Sequence, residues 1–409
     1  MALLIGVPLR GGGKARAARA GTQPRELPVL VDGVETEIDR HFLDHFVLCL
    51  SNQLTMQTGE ENPFRNILLP MAIRHKGLMH SLLCLSGSHL AQENPEAYSD
   101  RRDHHHLVAI HELRTDKKLD DQANRRSTEL VDDPTVAQTL TLCLNSICRG
   151  EKEGEYRPHL DIGRYHALHH KSKSQAFRQF LFEFFHYHDV VNSLTTLDRR
   201  PLMLTEDFQL PEFIVQPGAG ALLGVFDRLF GYISKITRIR DTIRVRKRDD
   251  IEPLVDYPTL SDAVCLDTEI RGWVSPQPEN THKFIASQLY RQCTWIYLYR
   301  TIQPSRPSEK ICEAVEEGLA FLRQLPPDTG TQSILLMPLF LLGCAAFVPE
   351  QRPDIRRAFG TLKRYSNLGN IEPAREVVEK VWARMDAKDE SSWDWESIIQ
   401  EMGYDFLVT

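Results

Sequence analysis

The sequence predicts an all-α fold: a large multi-helix array of antiparallel helical hairpins in a single domain. Apolar residues recur three and four positions apart along most of the chain, the interval that places them on one face of an α-helix. Alternating β-branched runs of the kind that build half-buried strands are nearly absent. From Glu35 onward the helical pattern never yields to a long linker. That favours one array over two separable domains, although 409 residues could hold two.

Residues 1–34 read as a disordered basic leader, rich in Gly, Ala and Arg, with Gly11-Gly12-Gly13 and prolines at 8, 24 and 28. An acid-free, Arg-bearing start resembles an organellar transit peptide. Gly-Gly-Gly, however, breaks any amphipathic helix there, and the apolar opening is too short for a secretory signal. Residues 35–409 form the helical domain. Ile38, Phe42, His45/Phe46 and Cys49/Leu50 mark one face of its first helix. Residues 62–91 then read as two short helices meeting at a turn, the first opened by Asn62-Pro63 and interrupted by Pro70. In the second, Leu78, Leu82, Leu85 and His89 form a buried stripe that Met79, Leu83 and Leu90 broaden. The small run Ser86-Gly87-Ser88 suits a close helix crossing.

A helix from Pro95 to Leu119 follows. Asp133 is expected to cap the next one, with Pro134 at the first helical position, where its missing N–H costs nothing. Val136, Leu140, Cys143 and Ile147 share its apolar face. Phe177, Leu181, Phe184/Phe185, His188 and Val191 make an aromatic-rich, buried helix. Helices over Leu222–Ile239, Phe284–Ile302, Ile311–Leu325 and Ala374–Met385 complete the set. Residues 198–217 and 241–258 hold prolines and charges and read as long connections.

The composition is that of an ordinary globular protein, 42% hydrophobic and 26% charged. No apolar run reaches the length needed to span a bilayer, so no membrane partner is expected. The net charge of −7 is uneven: residues 1–25 carry +5, which leaves −12 for the rest. An acidic body is a poor surface for phosphate backbones, so direct DNA contact is not expected of this chain alone. Eight scattered cysteines without a secretory signal fit a reducing compartment, and all eight read as buried structural thiols.

Candidate chemistry is sparse. Asp103-His104-His105-His106 with His111 lacks the His-x-x-x-His spacing that puts two imidazoles on one helix face, and reads as a solvated helix start. His159, His166, His169 and His170 fit no ligand set, and His169-His170-Lys171 reads as a solvated helix end. There is no nucleophile elbow, phosphate-cradling glycine loop or dinucleotide fingerprint. Asp120-Asp121 and Asp249-Asp250 each lack the third carboxylate of a magnesium-binding aspartate motif. The chain is therefore expected not to be an enzyme and to hold no metal. The basic run Arg244, Arg246, Lys247 and Arg248 reads as a solvated loop or helix end, with a nuclear import signal as the alternative.

Four stretches, in order, carry more than pattern. Residues 62–91 (NPFRNILLPMAIRHKGLMHSLLCLSGSHLA) resemble the opening signature of the fungal-specific transcription factor domain, the helical middle region of many fungal zinc-cluster regulators. Residues 132–150 with 156–168, then 180–195, then 335–347 with 368–386 and 393–408, agree with that family in sequence and order. The resemblance spans residues 36–408. Such regulators usually carry six cysteines that hold two zinc ions and read DNA, a chemistry that needs C-x-x-C pairs. Here the closest cysteines, Cys143 and Cys148, are five apart, so this chain contains no zinc cluster.

The resemblance implies a helical regulatory region controlling RNA polymerase II transcription in the nucleus. Implied partners are a second copy or a zinc-cluster regulator, the transcription machinery and a small-molecule effector. No cofactor is implied beyond zinc, and that only in a cluster N-terminal to this chain. DNA would be reached through a zinc-cluster partner, through such a cluster, or not at all. The alternatives are a helical co-regulator without DNA binding and a helical small-molecule-binding protein or enzyme. Arg65, His80, His89, Arg157 and Asp189 are polar residues inside apolar patterns that match the family signature. They are expected to pair between helices, or else to line an effector pocket.

Overall fold

The computed structural model describes residues 31–115, 131–198, 228–303 and 308–409. Helix α1 (Glu37–His45) starts with a capping box. The Thr36 hydroxyl accepts the Asp39 N–H at 3.2 Å, and the Asp39 carboxylate accepts the Thr36 N–H at 2.8 Å. It runs on through a π-helical turn (Phe46–Leu50) that buries Phe46 and Leu50. A second π-turn (Phe64–Leu68) leads into one turn of α-helix, Leu69–Ala72. Pro70 lies near the start of that turn rather than breaking the helix, because its missing N–H is not needed there.

Helix α2 (Lys76–Leu90) is buried on every side from Gly77 to His89, not along a stripe. It lies against α1, α3 (Pro95–Thr115) and α4 (Asp133–Arg149) at once. The small run makes this possible. A Cβ on Gly87 would stand 2.7 Å from the Phe42 ring, the Ser86 hydroxyl donates to the Phe42 carbonyl at 2.6 Å, and Ser88 donates to the Asn145 side chain at 2.7 Å. Asp132, not Asp133, caps α4: its carboxylate accepts the Thr135 N–H at 3.0 Å, which moves Pro134 one place into the first turn. Residues 116–119, the end expected for α3, lie outside the described residues.

Helices α5 (Arg157–His169) and α6 (Gln175–Thr195) continue the hairpins, and α6 is buried from Phe180 to Thr195. Helix α7 (Leu229–Arg248) extends nine residues past the expected Ile239. Much of the presumed 241–258 connection is therefore helix, and α8 (Tyr257–Gly272), capped by Asp256, takes up its end. The charges of 240–248 stay helical because carboxylates on neighbouring segments pair with them. Residues 222–227 and 199–217, parts of an expected helix and connection, lie outside the described residues.

The remaining helices are α9 (His282–Ile302), α10 (Glu309–Gln324), α11 (Leu336–Ala345), α12 (Arg352–Ser366), α13 (Ile371–Asp386) and α14 (Trp395–Glu401). Helix α12 was not anticipated, although Ile355, Phe359 and Leu362 give it a regular buried face. One hydrophobic core runs from Phe42 to Val408, and no strand occurs among the described residues, only an isolated bridge between Glu153 and Asp405. Five cysteines are buried as expected, but Cys49 and Cys265 are exposed and Cys312 is half-buried, because they sit on outward faces of their helical segments.

The end of α4 meets the turn between α12 and α13 glycine to glycine. Gly150, in the left-handed region (φ +66°), accepts no Cβ: one would lie 2.5 Å from the Gly369 carbonyl group. A Cβ on Gly369 would lie 2.4 Å from the Gly150 nitrogen. The Gly369 N–H donates to the Cys148 carbonyl at 3.0 Å. Gly369→Ala is expected to cost about 3 kcal/mol, because backbone rather than a flexible side chain would have to move. Gly403→Ala, where φ is +69° but space is open, should cost about 1 kcal/mol. Urea unfolding of the two variants checks the difference.

Candidate functional site

The histidine run of α3 is not a solvated helix start. His105 is fully buried at mid-helix, between α1 and α2. Its Nε2 lies 2.8 Å from Asp39 Oδ1 and its Nδ1 lies 2.8 Å from His80 Nδ1. The carboxylate can only accept, so His105 donates through Nε2 and accepts at Nδ1 from a His80 Nδ1–H. Asp39 is saturated: Arg101 donates twice at 2.7 Å, and the Glu35 and Thr36 N–H groups add bonds of 2.9 and 2.8 Å. Burial works to raise its pKa, but the hydrogen bonds from Arg101, His105 and the backbone outweigh it and hold the carboxyl well below the usual range. Burial, reinforced by His105, pulls His80 down to about 4.

Nearer the end of α2, His89 Nε2–H donates to the Ser366 carbonyl at 2.7 Å, and its Nδ1 lies 2.9 Å from His45 Nε2. Arg157 pairs with Asp405 and, at 2.7 Å, with Asp198. Asp189 lies 3.1 Å from Arg164 Nε. Arg65 sits half-buried on the second π-turn. The five predicted residues thus lie at separate places in the fold, and none of them lines the cavities described below. His170 is also not solvated: its Nε2 lies 2.6 Å from the Asp133 carboxylate. Among the described residues no group of three or more His, Cys, Asp or Glu could hold a metal ion.

The basic run forms the last turns of α7. Arg246 pairs with Asp256 at 3.0 Å and Arg248 with Asp249 at 2.8 Å, while Lys247 lies 5.5 Å from the centre of the Trp393 ring. Arg244 turns inward to Asp394 and, at 3.1 Å, to Glu396. One turn earlier, buried Arg240 donates to Glu396 at 3.0 Å, to Asp241 at 2.8 Å and to the Ser193 carbonyl at 2.6 Å. Across from them on α9 lies Arg300, 2% exposed, with Nε, Nη1 and Nη2 all lacking a hydrogen-bond partner. Its guanidinium stands 4.8 Å over the Phe347 ring, and burial lowers its pKa to about 10, so it is charged at neutral pH. A cavity of about 20 Å³ lies between these groups.

A second cavity, of about 40 Å³, lies where the first helical run, α4, α6 and residues 368 and 409 meet. Leu144, Ile147 and Phe184 line it, and His188 presents two ring nitrogens without partners, its pKa pulled by burial to about 3. Each space is of the order of one or two waters, well below the ~300 Å³ of a typical ligand pocket. Arg240, Arg300 and Glu396 escaped the sequence reading. Their signal was a charge at an apolar helical position, as in Ile296, Tyr297, Arg300.

A family model described as the fungal specific transcription factor domain matches residues 41–409. Over 130 residues, 31% of this chain, the sequence is 30% identical to transcription factor dibT of Pestalotiopsis microspora. That match covers 20% of the relative, so the chain spans about a fifth of its length. No solved structure matches the chain. No described helix is long and apolar enough to cross a membrane.

His45, His80, His159, His166 and His186 have pKa values pulled to about 4, and His188 to about 3, in each case mainly by burial. Unfolded histidine binds its proton near pH 6.5. The stability these groups confer is therefore present above that pH and is lost as pH falls toward 4. The urea midpoint should drop steadily between pH 6.5 and 4.5, with several protons taken up on unfolding, whereas a flat profile would contradict the burial of these rings. Asp39→Ala removes the acceptor that pairs Arg101 and His105 and should cost about 3–5 kcal/mol at pH 7. The same unfolding assay reads it.

Proposed function

Because the chain belongs to the fungal-specific transcription factor domain family, we propose that it is the non-catalytic helical regulatory region of a nuclear regulator of RNA polymerase II transcription. The observation that carries this reading is the family match over residues 41–409, together with the way its stretches pack. The helices that bear the four resembling stretches, α2, α4, α5, α6, α11, α13 and α14, share one core rather than forming detachable units. Such a body acts through surfaces it holds rigid.

DNA contact, in this reading, is supplied by a zinc cluster on a partner or joined to this region. The chain offers no C-x-x-C pair, and residues 26–409 carry a net charge of −12, which opposes approach to phosphates. The partner is a second copy or a zinc-cluster regulator, and output passes to the transcription machinery. The chain itself requires no cofactor. The cavities beside Arg300 and His188 have room for one or two waters. A space of about 150 Å³ between α10 and α12 and one of about 490 Å³ between α8, α9 and α10 are large enough for a small-molecule effector, so this reading includes control by such a ligand as well as by protein contacts.

The test is to fuse the whole chain to a heterologous DNA-binding module that is silent alone and to place that module's site before a reporter in a fungal cell. Reporter output should change severalfold relative to the module alone, in a direction set by whether the region activates or restrains. Output equal to that of the bare module, from a fusion that accumulates in the nucleus, would overturn the reading. Chromatin immunoprecipitation of the unfused chain should lose its signal when the zinc cluster that recruits it is deleted.

A further inference from the structure

The structure assigns Arg300 to a small-anion site: we propose that the cavity between α7, α9 and α14 binds a monoanion no larger than chloride or a single carboxylate group. This goes beyond the transcriptional reading and does not depend on it. A guanidinium carries five N–H donors and is costly to bury unless paired. Arg240 and Arg244, lining the same cavity, meet that demand in full or in part with Glu396, Asp241 and Asp394. Arg300 does not: Nε, Nη1 and Nη2 are buried with no hydrogen bond, and its 4.8 Å contact with the Phe347 ring is a cation–π contact that adds no hydrogen-bond acceptor. Three arginines therefore face one lining carboxylate, Glu396, and both of its oxygens are already taken by Arg240 and Arg244.

The space beside Arg300 is about 20 Å³, which suits one small ion and excludes sulfate-sized or larger ligands without rearrangement. Of the lining residues, Arg244 and Trp393 alone are half-buried rather than buried, so they form the solvent side. Lys247 and Arg244 both stand over the Trp393 ring, which places positive charge along the approach. Thr301, also in the lining, donates its hydroxyl proton to the Tyr297 carbonyl at 2.7 Å, so it adds no free donor to those of Arg300. An anion bound there would tie Arg300 of α9 to α7, whose Arg240 and Arg244 already hold Glu396 of α14.

Thermal unfolding of the whole chain tests this in sodium methanesulfonate, with sodium chloride or sodium acetate exchanged in at constant ionic strength. Wild type should show a saturating rise of several degrees with at least one of the two, because a ligand bound by the native state alone stabilises it. Acetate alone, chloride alone or both would identify the anion within the class. Arg300→Met should abolish the rise and, in methanesulfonate, be at least as stable as wild type, since it removes an uncompensated charge. A wild type that responds to neither anion, or no more than Arg300→Met, overturns the proposal. Should Arg300→Met fail to fold, Arg300→Gln takes its place: loss of the anion-dependent rise supports the site, and a rise equal to that of wild type overturns it.

Discussion

The backbone crossing at Gly150 and Gly369 is the constraint on which the rest of the molecule depends. Without side chains at either position, the end of α4 and the turn before α13 come close enough for the Gly369 N–H to reach the Cys148 carbonyl. That contact sets two halves of the chain at a fixed separation. The C-terminal residues then run beside the junction and fasten both sides. Asp405 N–H donates to the Lys152 carbonyl at 2.8 Å, and Gly154 N–H returns a bond to Asp405 at 3.0 Å. On the other side, Asn370 donates to the carbonyls of Leu407 and Thr409 at 2.9 and 2.7 Å. Phe406, Leu407 and Val408 are buried as a result, and the core closes around them.

Charge is buried in two contrasting ways within this frame. Around Asp39 every oxygen valence is used, by Arg101, His105 and two backbone N–H groups, so the network locks α1, α2 and α3 together. Around Glu396 the pairing of Arg240 and Arg244 is similarly dense, yet Arg300 stays outside it. A satisfied buried network rigidifies, whereas an unsatisfied one stores a demand that a ligand can meet. The regulatory reading and the anion site are therefore physically compatible: the first needs a rigid body and the second a local vacancy in its pairing.

Much of the fold was legible because burial leaves a periodic trace. Phe42 and Phe46, Val136 to Ile147 and Phe177 to Val191 repeat at helical spacing and are buried where that spacing puts them. Errors came where charge, not burial, decided. The charges from Arg240 to Arg248 look like a solvated connection and end the expected helix at Ile239, whereas in the structure the carboxylates of Glu396, Asp394 and Asp256 pair with them along a continuing helix. The cap of α4 slipped by one residue because Asp132 and Asp133 are equally good caps locally, and the Thr135 bond chooses between them. His105 looked exposed in a polar run because its partners, Asp39 and His80, lie on other helices.

The sequence by itself determined the all-α class, most helices and the family, since local periodicity and ordered motifs are properties of the chain alone. Tertiary structure alone decided which polar residues are satisfied. Arg157 and Asp189 proved to be paired in separate contacts, and Arg300, one charge among many in the sequence, became the buried cation without a hydrogen bond. The physical reason is that pairing depends on distance in space between residues far apart in the chain, as Arg240 and Glu396 are. No local pattern records such a distance.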